Sequence, residues 1–321
     1  MRIRPLVVEL CLAFPLLCQD TTIRATAPLV VLSASVRDGQ GKSIDGLTAA
    51  DFVLLDNARL KPVNVDVIDS GLPPIALVVL VQTSGRSLSA LAKIQKIGGM
   101  ISEAVVGANG EAAVIAFDDE IRVLQDFTRD TDALFDAFRN LKPRDSSGAR
   151  MIDAVESSLA LLAGRPGPRR SGVLIVGESR DRGSKSKPAD LQVSLERTGI
   201  TVYSMHYSAY LTPFTTRPEE YEPGGGGYLD GIKDLARLGK LNTMEMLTRT
   251  TGGLDLSFET KSKLEKNLMR LAGDIHNRYL VSFVPDVDET QRFHRLTLQV
   301  KNRPDAAVLT RPGYWSLTDS P

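Results

Sequence analysis

Residues Ile75–Ser87, IALVVLVQTSGRS, decide the fold predicted for this chain. The apolar run Ile75–Val81 ends abruptly at the polar run Gln82–Ser87, after which a helical pattern begins. A short apolar run rich in β-branched residues and bounded by turn residues is typical of a strand buried on both faces. Such strands belong to parallel α/β sheets, which bind ligands at the carboxyl ends of their strands. The polar run therefore marks the place where binding or chemistry is expected.

Strand and helix patterns alternate along the rest of residues 73–285. The further predicted strands are Ala112–Phe117, Ile121–Phe127, Val173–Val176, Ile200–His206, Leu254–Phe258 and Tyr279–Val284, and the predicted helices are Leu88–Val105, Ala133–Leu141, Met151–Ala163, Asp190–Thr198, Thr243–Thr250 and Leu264–His276. This alternation is typical of a mostly parallel sheet with helices on both faces. The predicted fold class is therefore α/β, with a doubly wound, Rossmann-type sheet.

Two strand-rich segments, residues 27–70 and 286–316, flank this unit. Their predicted strands are Leu29–Val36, Phe52–Leu55 and Val63–Ile68 in the first, and Arg295–Val300 and Ala306–Thr310 in the second. Two strands alone cannot bury a stable core. We hypothesise that the two segments pair into one β-domain, with the α/β domain inserted between them.

Residues 1–18 resemble a signal peptide, because basic residues precede an apolar stretch. Glu9 interrupts that stretch, and a buried N-terminal strand is the alternative. Both cysteines, Cys11 and Cys18, lie here, so cleavage after Cys18 leaves no thiol for disulfide or redox chemistry. We expect an exported protein that is periplasmic, secreted or envelope-associated. No other stretch is long and apolar enough to span a bilayer.

The composition is that of an ordinary globular protein. Among 321 residues, 42% are hydrophobic and 24% are charged, which is enough apolar material for a core. The 39 basic and 39 acidic residues cancel to a net charge of zero. The chain therefore lacks the basic footprint of a nucleic-acid-binding protein and any polybasic membrane patch.

Three stretches, in order, carry a family resemblance: Val79–Ser87, Ser146–Ala154 and Val173–Asp181. Together they resemble the von Willebrand factor A domain. More closely, the chain is similar to bacterial exported proteins with a related domain, which share a DGLTAADFVLLDN-like stretch (Asp45–Asn57) and a terminal RPGYW (Arg311–Trp315). No biochemical activity comes with that group.

The resemblance implies a metal-ion-dependent adhesion site at the top edge of the sheet. In the family this site combines an Asp-x-Ser-x-Ser loop, a Thr from a second loop and an Asp after a later strand. Mg²⁺ requires such oxygen ligands in near-octahedral geometry. One coordination position stays open, and a partner's carboxylate fills it.

This sequence departs from that ligand set at nearly every position. Gln82 replaces the first Asp, Arg86 the second Ser, Ala149 the Thr and Glu178 the later Asp, whereas Ser84 is retained. An amide and a methyl group cannot supply the missing ligands, although Ser146 or Ser147 could shift to compensate for Ala149. Arg86 adds a positive charge that cannot be removed by deprotonation. We therefore expect no metal and no other cofactor.

Two interpretations of Arg86 stay open. Its guanidinium could occupy the cation's place and pair with Glu178 or Asp181, since arginine forms bidentate bonds to carboxylates. Alternatively, Arg86 points into solvent and the site is simply degenerate.

The remaining motifs give little sign of catalysis. The acidic run Asp118–Glu120 is interpreted as a solvated hairpin turn, and the three histidines lack the paired spacing of a zinc site. There is no Gly-x-Ser-x-Gly motif and no phosphate loop. A hydrolase that uses Ser84 is the enzymatic alternative, although no histidine is tied to it by the sequence. The glycine tract Gly224–Gly227 is interpreted as a flexible linker.

The long segment Ser208–Leu238 follows the predicted strand Ile200–His206 at the same sheet edge. Its aromatic residues are Tyr210, Phe214, Tyr221 and Tyr228. Aromatic residues suit a protein-binding surface, but they could equally fold down as a lid. The sequence thus predicts a non-catalytic module for adhesion or assembly, which binds a protein partner through Gln82, Ser84, Arg86, Ala149, Glu178, Asp181 and these aromatics. The scaffold subunit of an envelope complex is a further alternative.

Overall fold

A computed structural model describes residues 29–66, 74–84, 87–165, 170–207, 242–286 and 293–316. The strands of this part are β1 (Val30–Arg37), β2 (Phe52–Asp56), β3 (Arg59–Lys61), β4 (Asn64–Asp66), β5 (Ile75–Gln82), β6 (Glu111–Phe117), β7 (Ile121–Thr128), β8 (Arg170–Gly177), β9 (Thr201–His206), β10 (Asp255–Ser257), β11 (Tyr279–Phe283), β12 (Phe293–Val300), β13 (Ala307–Leu309) and β14 (Gly313–Trp315). The helices are α1 (Leu88–Ile94), α2 (Gly98–Met100), α3 (Thr131–Arg139), α4 (Met151–Ala163), α5 (Pro188–Thr198), α6 (Thr243–Thr251) and α7 (Lys261–His276).

A six-stranded sheet in the order β10-β9-β8-β5-β6-β7 forms the centre of the α/β unit. Every pair in it is parallel except β6–β7, which is antiparallel. β5 lies between β8 and β6, and none of its residues is more than 4% exposed. The predicted α/β class, with a mostly parallel sheet around a fully buried strand, is confirmed.

Helices cover both faces of this sheet. The side chains of Leu77, Val79 and Val81 pack under α1, α3 and α7 in one core. Those of Ala76, Val78 and Leu80 pack under α4, α5 and α6 in a second core. Each fully buried aliphatic side chain contributes about 1.5–3 kcal/mol. None of the helices in the described residues is long and apolar enough to cross a lipid bilayer.

The predicted continuous helix after β5 is instead two pieces. α1 ends at Ile94, and α2 runs into a π-helical turn at Ile101–Val106. Gly98 is the first residue of α2, and a Cβ atom on it would be only 3.0 Å from the Cβ of Phe138. Glycine thus allows α3 to pack closely, and its low helix propensity accounts for the break.

The two flanking β segments are joined by backbone pairing. β2 pairs antiparallel with β12, and β1 pairs antiparallel with β13, so each of the two four-stranded sheets combines strands from both ends of the chain. The sheets share one apolar core that includes Leu32, Leu54 and Leu298. Whether these elements and the α/β unit are separate folding domains stays a prediction.

The expectation that Tyr279–Val284 completes the α/β sheet is wrong. The strand at that place, β11, pairs antiparallel with β1 and β4 in the β unit. Four of its five residues are buried. A run that is buried in a sandwich and a run that is buried in a parallel sheet have the same apolar pattern, so periodicity alone could not separate the two.

A buried carboxylate ties the two units together. Asp274 on α7 accepts a hydrogen bond from Nη2 of Arg37 on β1 at 2.7 Å and another from Nε of Arg278 at 3.0 Å. Nη1 of Arg278 also donates to Oγ of Ser33 on β1. Although burial favours the neutral acid, the charges of Arg278 and Arg37 hold the pKa of Asp274 below its ordinary value.

Replacement of Arg278 by methionine tests this link. Arg278→Met leaves Asp274 buried with one positive partner fewer, and we expect the free energy of unfolding to fall by about 3 kcal/mol. Urea denaturation of the full chain measures the change. The exposed control Lys266→Met should change it by less than about 0.5 kcal/mol. A loss for Arg278→Met no larger than that of the control contradicts the assignment.

Candidate functional site

Strand register brings the predicted polar positions to one edge of the sheet. Gln82, the last residue of β5, is level with Phe117 on β6, and its neighbour Val81 is level with Val176 on β8. Asp118 and Glu178 therefore follow at the carboxyl edge beside Gln82. The structure thus brings Gln82 and Glu178 together at this edge.

The side-chain amide of Gln82 organises this edge. Its Oε1 accepts the backbone N–H of Glu178 at 2.7 Å, and its Nε2 donates to Oγ of Ser84 at 2.8 Å. Nε2 also lies 3.5 Å from Oε2 of Glu178. Because the Glu178 N–H needs an acceptor, the N–H donors of the amide face Ser84 and the carboxylate. A cation placed there would meet N–H groups rather than oxygen ligands.

Close packing against β8 holds the amide in place. A Cβ atom on Gly177 would lie 2.7 Å from Oε1 and 2.9 Å from Cβ of Gln82. Glycine at this position thus leaves the space that the Gln82 side chain fills. Gln82 and Ser84 are both fully buried.

Arg182 provides the positive charge at this edge. Its Nη1 donates to Oε2 of Glu178 at 2.6 Å. The backbone of Arg182 pairs in both directions with Ala149, at 2.9 and 2.8 Å, which fixes the loop after β8 to the loop before α4. Ala149 is fully buried and offers no side-chain oxygen. Among the described residues, the guanidinium beside Glu178 is that of Arg182, whereas Arg86 lies outside them and both interpretations of its side chain stay open.

Asp118 forms a second buried ion pair. Its Oδ2 accepts a hydrogen bond from Oγ1 of Thr83 at 2.8 Å and another from Nη2 of Arg122 at 2.6 Å. Its Oδ1 accepts the backbone N–H of Glu120 at 3.0 Å. The interpretation of the acidic run as a solvated turn is therefore wrong for Asp118, which is only 1% exposed, while Asp119 and Glu120 are exposed. The carboxylate turns inward because Thr83 and Arg122 satisfy it there.

Asp181 is turned towards the start of α4 rather than towards Glu178. Its Oδ1 accepts the backbone N–H of Ile152 at 3.0 Å and Oγ of Ser184 at 2.6 Å. Carboxylates are favoured at this position because the first N–H groups of a helix have no partner within the helix. Of the predicted site residues that the structure describes, Gln82, Ser84, Ala149 and Glu178 come together, and Asp181 holds the neighbouring loop.

Asp153 anchors the same loop. It accepts the backbone N–H groups of Lys185 and Ser186, at 3.0 and 2.9 Å, and bonds from Nε and Nη2 of Arg150, at 2.8 and 2.6 Å. Burial would raise the pKa of this carboxyl, but the hydrogen bonds from Ser186, Lys185 and Arg150 outweigh it and lower the pKa to about 2.

Arginines form the outer layer of the site. The side chains of Arg122, Arg144, Arg150 and Arg182, here called the arginine face, are between 24% and 45% exposed. Arg122, Arg150 and Arg182 each pair with a buried carboxylate beneath, and Arg144 lies 3.3 Å from exposed Glu120. A partner that approaches this edge meets guanidinium groups before it meets Ser84.

Ser84 and the histidine nearest to this edge in the sheet, His206, are each bonded to other side chains in the described part of the chain. Oγ of Ser84 accepts from Gln82 and lies 3.5 Å from Oγ of Ser87, while Nδ1 of His206 is 3.0 Å from Asp255. In the part of the chain that the structure describes, no three His, Cys, Asp or Glu side chains are grouped so that they could hold a metal ion. The donor set at Gln82, Ala149 and Arg182 does not fit Mg²⁺. The aromatics Tyr210, Phe214, Tyr221 and Tyr228 lie outside the described residues.

Comparison by sequence finds no matching family model and no matching curated protein. Solved structures are similar at low identity. A von Willebrand factor type A protein from Catenulispora acidiphila is 10% identical, with 92% of this chain and 75% of that chain covered and a TM-score of 0.46. The conserved hypothetical protein BatB from Bacteroides thetaiotaomicron is 10% identical over 63% of this chain and 98% of that chain, with a TM-score of 0.45. The von Willebrand factor domain of the type V pili tip protein Mfa5 from Porphyromonas gingivalis is 11% identical over 63% and 95%, with a TM-score of 0.41.

Each of these TM-scores is below 0.5, so the fold assignment rests on the molecule's own strand order and helix placement. A buried central strand, parallel neighbours on both sides, one antiparallel edge strand and helices on both faces define a von Willebrand A-like α/β unit with flanking strands. The predicted resemblance in fold is confirmed.

The lowered pKa of Asp153 gives a pH-dependent test of the loop. A carboxyl whose pKa is lower in the folded state stabilises the fold above its unfolded value near 3.8, and this contribution is lost as the pH falls towards 2. We expect Asp153→Asn to lower the free energy of unfolding by about 1–2 kcal/mol at pH 6, with solvent screening included. Urea denaturation between pH 6 and pH 3 should show the difference shrinking with acid. A difference that does not depend on pH contradicts this role.

Proposed function

We propose that this chain is a non-catalytic protein-binding module, exported to the envelope or beyond, that acts in adhesion or assembly without a divalent cation. The observation that carries this proposal is the ion pair between Arg182 and Glu178, next to a Gln82 amide whose donors point into the site. Where the A-domain family would bind Mg²⁺, this chain has its own guanidinium. We thus interpret this edge as an adhesion site that has lost its metal ligands and that binds a protein partner directly.

The arginine face would be the contact surface. A guanidinium has five N–H donors, and in the described contacts the side chain of Arg182 uses one of them, on Glu178. Guanidinium groups form bidentate hydrogen bonds with carboxylates, and arginine is enriched in protein interfaces. An acidic group on a protein partner is therefore the complementary ligand. Ser84, which is buried, acts in this proposal by holding Gln82 rather than by touching the partner.

The long segment that carries Tyr210, Phe214, Tyr221 and Tyr228 would extend the contact. It follows β9, whose carboxyl end lies at the same sheet edge as the end of β8. Aromatic side chains supply large contact area at low entropic cost. The role of this segment stays a prediction.

Binding in the presence of a chelator tests the cation-independent mode. We expect affinity purification of the tagged full chain from an envelope extract of its own cells to recover the same partner with and without EDTA. The double variant Arg150→Glu/Arg182→Glu should lose it, because it reverses two charges of the arginine face.

Arg129→Glu is the matched control, because Arg129 is an exposed arginine at the opposite end of β7. It should retain the partner. Two results would contradict the proposal: elution of the partner by EDTA, or equal retention of the partner by the native chain, the double variant and the Arg129→Glu control.

Direct titration with Mg²⁺ tests the loss of the cation site. We expect calorimetry to detect no binding to the native chain. A variant that combines Gln82→Asp, Arg86→Ser, Ala149→Thr, Glu178→Asp and Arg182→Ser restores oxygen ligands and removes the positive charges, so it should gain measurable Mg²⁺ affinity. Micromolar binding of Mg²⁺ by the native chain would show that the interpretation of the site is wrong.

A further inference from the structure

A second candidate site lies at the opposite edge of the six-stranded sheet. A cleft of about 640 Å³ opens between the α/β unit and the β unit. Arg170, the first residue of β8, and Thr201, the first residue of β9, line it. The cleft therefore lies at the amino ends of these strands, at the edge of the sheet opposite to the arginine face. Its volume falls in the range of small-ligand pockets, about 300–1,000 Å³.

The charged residues of the cleft leave an excess of positive charge. Arg197 and Arg311 line it together with one acidic residue, Glu196, while Arg170, which also lines it, donates to the backbone carbonyl of Ile275. Glu196 is already engaged by neutral donors, at 2.9 Å from Nε1 of Trp315 and at 2.9 Å from Nε2 of Gln192. The cleft therefore favours an anion.

Arg311 is the central group of this cleft. Its Nη1 and Nη2 donate to the backbone carbonyls of Glu196 and Val31, at 3.3 and 3.0 Å, and its Nε is buried without a partner among the described residues. Burial lowers the pKa of Arg311, since its charge has lost water and no carboxylate of the described residues is bonded to it. An anionic ligand would replace that lost solvation.

An apolar wall adjoins the arginines. Leu29 and Val31 line the cleft and are 50% and 45% exposed, so both offer apolar surface to a ligand. The guanidinium of Arg197 lies 5.5 Å from the ring centroid of Trp315, which places a cation at the aromatic part of the wall. The ligand that fits has an anionic group and a short apolar body.

The contact between Arg311 and Val31 argues against an added peptide strand. The outward carbonyl of Val31 on β1 would be one of the acceptors for such a strand, and Nη2 of Arg311 already occupies it. We propose that the cleft binds a small organic anion, whose carboxylate or phosphate contacts Arg311 and Arg197 and whose apolar part packs against Val31 and Trp315. This site is independent of the arginine face and of the function proposed for it.

Trp315 offers a direct readout, because it is the only tryptophan in the chain. Its fluorescence in the full-length protein can be titrated with hexanoate and hexyl phosphate, which share an apolar chain and differ in the anionic group. Hexanol is the neutral control, and inorganic phosphate lacks the chain. We expect saturable binding of at least one of the two amphiphilic anions, at least tenfold tighter than either hexanol or inorganic phosphate.

Arginine variants test whether the change in Trp315 fluorescence reports binding at Arg311 and Arg197. Arg311→Gln and Arg197→Gln should each raise the Kd at least tenfold, and the remote Arg129→Gln should leave it unchanged. Since Arg311 also holds two carbonyls, the exposed Arg197 gives a test that does not depend on the folding of the Arg311 variant. Equal binding of hexanol, no saturable binding of either anion, or a Kd that is unchanged in Arg197→Gln would overturn the proposal.

Discussion

A carboxylate buried at the end of a buried strand needs a positive partner, and the candidate site is built around this constraint. The register of β5, β6 and β8 places Glu178 and Asp118 where water has little access. An ionised carboxylate left unpaired in such a place would cost several kcal/mol. Here Arg182 neutralises the first and Arg122 the second, each at 2.6 Å. Arg122 lies on β7 and Arg182 on the loop after β8, so the two ion pairs also hold these elements to the edge of the sheet.

A guanidinium differs from a divalent cation in ways that matter for recognition. It is covalently attached, so no chelator can remove it, and its charge persists across the physiological pH range. Its planar N–H groups favour a carboxylate in a defined orientation, whereas an open metal position accepts one oxygen atom. The Gln82 amide matches this change, because it presents N–H donors where a metal would need oxygen. Gln82, Ala149 and Glu178 are thus mutually consistent with the cation-independent site that we propose.

Much of the fold could be predicted from the sequence, because buried parallel strands and amphipathic helices have strong hydrophobic patterns. For example, α4 was predicted with its observed bounds, Met151–Ala163. β11 was placed in the wrong sheet because burial in a sandwich gives the same apolar run. For the site, the convergence of Gln82, Ser84 and Glu178 followed from the carboxyl ends of the strands. Arg182 was missed because the loop after β8 has no periodicity, so its spacing from Glu178 does not predict which way its side chain points. The inward turn of Asp118 depends on Thr83 and Arg122, which only the fold brings together.

We propose above all that the side chain of Arg182, paired with Glu178, takes the place that the adhesion cation has in the A-domain family. A crystal structure of the native chain grown in MnCl₂, with anomalous scattering recorded for manganese, tests it most directly. The account predicts no manganese peak at this edge and a guanidinium of Arg182 within hydrogen-bond distance of Glu178. An ordered manganese ion bound by Ser84 and Glu178, with Arg182 displaced, would contradict it.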